Sequence, residues 1–180
     1  MFPFFSSAKG PPQLTYGKPI DFNADVPIFP PFAMMLTIIS SQIIRKLTGR
    51  SLAFLPAICR PKSVRAAFLA VMLAVTKFIV LDSAGGELQK SGSGTLFVPV
   101  NGLATGGIYA YTRNPMYCGL IFLAIPSLSC VIDSAWPVIL SPITWCYLNF
   151  VVIAAEEELL AETFGASFDA YCAEVPRWLI

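Results

Sequence analysis

Arg113 and Asn114 stand directly before Pro115 in GGIYAYTRNPMYCGL, residues 106–120, and Glu156 and Glu157 stand where a later apolar run ends. A planar guanidinium can grip a carboxylate at two points, and ionised carboxylates are strong charge-assisted acceptors. Such groups can hold and orient a polar ligand, and a glutamate can also take a proton from an amine. The chain contains no His, which removes the commonest general base, Ser/His/Asp triads and nearly all zinc sites. Its chemistry must therefore run on carboxylates, Arg, Tyr or Cys. The five cysteines, Cys59, Cys118, Cys130, Cys146 and Cys172, have no CxxC spacing, and three sit in apolar runs. They read as small packing residues, and no metal is expected.

The elements that must position these groups are apolar. At 56% hydrophobic and 13% charged residues, with a mean hydropathy of +0.68, the 180-residue chain is too apolar for an ordinary soluble domain and fits an all-α integral membrane bundle. A net charge of +1, from 12 basic and 11 acidic residues, gives no clustered positive face for nucleic acid. Residues 1–26 are rich in Pro, Gly and polar residues, without the basic start and apolar core of a signal peptide, and read as a flexible tail. Residues 27–180 form one domain.

About four spans are expected. Ile28–Leu47 is interrupted by Pro30, Pro31, Arg45 and Lys46, so its apolar length is marginal for a bilayer that needs about 20 residues. Val64–Leu81 is stronger, with Lys77 expected to snorkel or to meet a partner. Met116–Asp133 and Ala135–Ala155 are separated so briefly that they predict an antiparallel hairpin, with Pro126 and Pro142 kinking its arms. Between the second and third spans lies a segment holding Gly85, Gly86, Gly92, Gly94, Gly102, Gly106 and Gly107, which predicts a long loop able to approach a ligand closely.

The hairpin brings its two outer ends to one side, so Arg113 is expected to meet Glu156 and Glu157. Glu158 and Glu162 read as a solvated face. Leu160, Phe164, Phe168, Tyr171 and Val175 recur at spacings of three or four, predicting an amphipathic tail helix bent at Gly165.

These residues carry a resemblance. The motifs GGIYAYTRNPMYCG and EEELLAETFGASFDAYCAEVPR, with Gly94-Thr95 ahead of them, are similar to the C-terminal core of the isoprenylcysteine carboxyl methyltransferase and phospholipid methyltransferase superfamily. The match covers residues 94–177. Ile108 stands where many members have Pro, Asn114 replaces a frequent His, and Phe168 takes a position often held by Tyr.

The resemblance implies a membrane-embedded enzyme that transfers a methyl group from S-adenosyl-L-methionine to a lipid or prenylated substrate. It implies catalytic roles for Arg113 and Glu157, with Gly107, Tyr109, Asn114, Pro115, Tyr117, Glu156 and Glu157 at the cofactor. Methyl transfer by direct displacement needs orientation and exclusion of water rather than a metal or a His. The alternatives are a nicotinamide-dependent oxidoreductase of sterol-reductase-like architecture and a catalytically inactive membrane relative. The chain is expected to be a multi-pass protein, in endomembranes if eukaryotic. The basic residues nearly balance across the two sides, and cofactor supply favours a cytosolic site.

Overall fold

The computed structural model describes residues 27–50, 52–54, 61–92 and 102–179. The expected tail over residues 1–26, together with Gly94, Thr95 and Cys59, lies outside the described residues. All regular structure among those described is helical.

Helix α1, Pro30–Thr48, starts on two prolines and ends on Gly49 in the left-handed conformation. Proline suits a first turn whose N–H has no helical partner, and glycine suits a left-handed cap. Helix α2 runs Lys62–Lys90, α3 runs Pro115–Ile132 and α4 runs Trp136–Phe164, and these three are long and apolar enough to cross a membrane. The expected span Ile28–Leu47 corresponds to α1, which is not among them. Its central Ser40, Ser41 and Gln42 and terminal Arg45 and Lys46 dilute its apolar length. It packs instead along the first half of α4, where the hydroxyls of Thr37 and Thr144 hydrogen-bond each other in a buried contact.

The second span is longer than its apolar stretch predicts. A widened, π-helical segment over Lys77–Ala84 carries the helix straight into Gly85–Lys90, so Gly85 and Gly86 belong to a helix and not to the loop. Their low propensity costs roughly 1 kcal/mol each relative to Ala, and continuity with the preceding turns outweighs it. Lys77 meets Asp82 at 2.9 Å on the helix's outer surface.

The hairpin forms as expected. Asp133 takes the left-handed conformation, Ser134 N–H donates to Ser129 O at 3.0 Å, and Asp133 N–H donates to Cys130 O at 3.3 Å. This is the paired closure that satisfies the last carbonyls of a helix before a sharp turn. Arg45 donates to Ile132 O at 3.3 Å, and Arg65 donates to Cys130 O at 3.1 Å and to Val131 O. Two cations thus complement the negative end of the α3 dipole. A π turn over Leu120–Ala124 precedes Pro126 in α3. In α4 the carbonyl that Pro142 cannot bond, Val138 O, accepts the Ser141 hydroxyl at 2.8 Å.

Between α3 and α4 the core is Cys118, Ile121, Ile125, Leu148, Val152 and Ile153, closed by Trp178 from the C-terminal segment. Cys118, Cys146 and Cys172 are free thiols. Gly165 breaks the chain after α4, and helix α5, Ala166–Glu174, follows. Phe168, Tyr171 and Val175 pack with Leu160 and Phe164 as their spacing predicts, joined by Leu103.

Candidate functional site

The site forms where the hairpin arms end. Pro115 opens α3, and Asn114 before it is held out of helical geometry at φ −128° and ψ 53°, as the steric demand of a following proline requires. That non-helical residue keeps Arg113 off the helix and turns it towards α4, which carries Glu156 and Glu157 on its last turns.

Arg113 Nη2 lies 2.9 Å from Glu157 Oε1. Arg177, from the segment after α5, grips the same carboxylate: its Nε donates to Oε1 at 3.1 Å and its Nη2 donates to Oε2. Both side chains of the Arg113–Glu157 pair are less than a fifth exposed. Charges this poorly hydrated are tolerated only with close partners. Glu156 is held differently, accepting the Tyr117 hydroxyl at 2.5 Å. The expectation that Arg113 meets both acids is therefore corrected: its ion pair is with Glu157. Glu158 and Glu162 are exposed, as expected.

The C-terminal segment ties this arrangement shut. Arg113 N–H donates to Pro176 O at 3.0 Å, and Arg177 O accepts both the Thr112 hydroxyl at 3.0 Å and Asn114 Nδ2 at 3.1 Å. Arg177 Nη1 donates to Asn149 O and Oδ1, and Trp178 Nε1 donates to Asn149 Oδ1 at 2.9 Å.

Above the clasp, the short helical turn Gly107–Ala110 carries Tyr109. The Tyr109 carbonyl accepts the Tyr171 hydroxyl at 2.7 Å, and the Tyr109 ring is buried. Burial, reinforced by the neighbouring Tyr171 and Glu156, pushes the Tyr109 hydroxyl well above its ordinary range. It is a neutral donor at any physiological pH. Gly107 has φ +58°, and a Cβ there would come within 2.8 Å of the Glu87 side chain. Any larger residue would be strained at that angle and would have to displace Glu87, so glycine suits the position.

The structure thus brings Gly107, Tyr109, Arg113, Asn114, Pro115, Tyr117, Glu156 and Glu157 to one end of the bundle. Arg177, Asn149, Thr112 and Glu87 join them without having been singled out by their spacing. A signal existed for two: Arg177 closes the VPR motif, and Asn149 is a polar residue inside an apolar span. Glu87 stood in what read as loop. Among the described residues, no group of three His, Cys, Asp or Glu side chains could hold a metal ion.

Fold and site define a helical membrane protein with a polar, charge-paired centre at the end of its hairpin. The phospholipid methyltransferase family model matches residues 64–167, and the chain belongs to that family. It is 32% identical over 74 residues to the protein-S-isoprenylcysteine O-methyltransferase of Schizosaccharomyces pombe, a match that takes in 41% of this chain and 31% of that protein. No solved structure matches the chain.

Proposed function

We propose that the protein is a membrane methyltransferase that moves a methyl group from S-adenosyl-L-methionine to a lipid or prenylated acceptor at the cytosolic end of its hairpin. The observation that carries this reading is the Arg113–Glu157–Arg177 clasp lying beside the Tyr117–Glu156 pair, in a member of this family.

The residues fit that methyl donor. Arg113 Nε is buried and has no hydrogen-bond partner among the described residues, which leaves a donor for a ligand carboxylate. Glu156 gives one oxygen to Tyr117, and its second oxygen suits an ammonium group. Gly107 lets its turn pack against the Glu87 side chain where a Cβ could not. The bound donor supplies an electrophilic methyl group on a sulfonium. The chain supplies orientation and dryness: Glu157 holds Arg113 in place, Tyr117 fixes Glu156, and the apolar arms keep water from the reacting atoms.

An acceptor carboxylate would be positioned by Arg113 and needs no base, whereas an amine must lose a proton, which a glutamate near the reacting atoms could take. The apolar bundle favours an acceptor entering sideways from the bilayer. The test is methylation of a membrane lipid extract by purified protein with labelled S-adenosylmethionine, run beside a farnesylcysteine substrate. Label in either acceptor supports the reading, and label in neither, by protein that binds the donor, contradicts it.

A further inference from the structure

We propose that Glu87, near the end of α2, is a ligand-binding residue of this site, accepting hydrogen bonds from the hydroxyl groups of the bound cofactor. The inference rests on the function proposed above and concerns which acid is free to do this.

The acids of the hairpin are largely committed. Both oxygens of Glu157 are held by arginines, and Glu156 gives one oxygen to Tyr117. Glu87 is different. Its side chain is 22% exposed, and Oε1 meets the Lys90 ammonium at 2.6 Å. Oε2 lies on the side of the glycine turn, where a Cβ on Gly106 would stand 3.1 Å from it. Gly106 and Gly107 thus leave room for this carboxylate at the start of the turn that carries Tyr109.

Charge decides the kind of group Oε2 would take. Lys90 already neutralises Glu87, so a second cation gains little there, whereas hydroxyl donors find an acceptor strengthened by its negative charge. The continuous α2 makes the placement possible. Had the helix ended at its last apolar residues, Glu87 would have no fixed position beside the turn.

The test is calorimetric binding of S-adenosylhomocysteine and its 2′,3′-dideoxyribose analogue to full-length protein in detergent, for wild type, Glu87→Ala and the volume-conserving Glu87→Gln. Wild type should bind the dideoxy analogue at least tenfold more weakly than the parent compound. In Glu87→Ala that difference should vanish, and Glu87→Gln, which keeps an acceptor and the packing against Gly107, should retain part of it. An undiminished difference in monodisperse Glu87→Ala overturns the proposal. Equal weakening of both compounds also overturns it, by making Glu87 a purely structural support. Failure of wild type to bind either compound would instead sink the methyltransferase reading itself.

Discussion

Arg113 has a role that charge alone does not fill. Its guanidinium reaches Glu157 with one nitrogen and keeps a buried Nε without a hydrogen-bond partner among the described residues, a division of labour that a lysine ammonium cannot reproduce. Arg113→Lys should remain folded and membrane-bound while losing most methyl transfer, measured with labelled cofactor. Near-normal turnover would show that only positive charge is needed. Glu157→Gln keeps the shape and removes the charge that two arginines share. Its turnover should fall by at least about tenfold, roughly 1.4 kcal/mol of transition-state stabilisation, in protein that still elutes as one species. Glu158→Gln, on the exposed face, should change little, and equal losses in both variants would mean that the acids act through overall charge. The Arg113–Glu157 pairing was legible from the hairpin, because antiparallel arms force their outer ends together. Arg177 was not legible as a partner: its approach depends on the chain turning back after α5, and no periodicity encodes that turn.

The helices locate the site by close approach. Gly119 on α3 faces Val80 in the widened segment of α2, where a Cβ on Gly119 would fall 2.5 Å from Val80 Cγ2. Gly119→Ala should therefore lower the thermal unfolding midpoint in detergent, with a cost of about 1–3 kcal/mol for overpacking. Adding Val80→Ala should restore part of it, and additive losses in the double variant would place the strain elsewhere. The hairpin, the break at Gly165 and the packing of Phe168, Tyr171 and Val175 on Leu160 and Phe164 were all readable, because turn chemistry and helical spacing are local signals. The end of α2 was not. Its glycines read as loop, and only the helix already formed on their N-terminal side carries them on to Lys90.

The bundle as a whole sets its apolar arms between the acid-rich end that holds the site and a basic end at the hairpin tip. Seven acids, Glu87, Glu156, Glu157, Glu158, Glu162, Asp169 and Glu174, lie at the end of α2, over the last turns of α4 and along α5, while Arg45, Lys46, Arg50, Lys62 and Arg65 gather near the hairpin tip. Membrane character was legible from composition, and α1 already read as marginal in apolar length beside the three helices long and apolar enough to cross a membrane. Binding of S-adenosylmethionine and S-adenosylhomocysteine to the purified protein, measured by calorimetry in detergent without added metal, tests most directly whether the acid-rich end is a methyl-donor site. The account predicts saturable binding of both compounds that is weakened in Arg113→Lys. No heat with either, alongside measurable binding of a reduced nicotinamide, would contradict it.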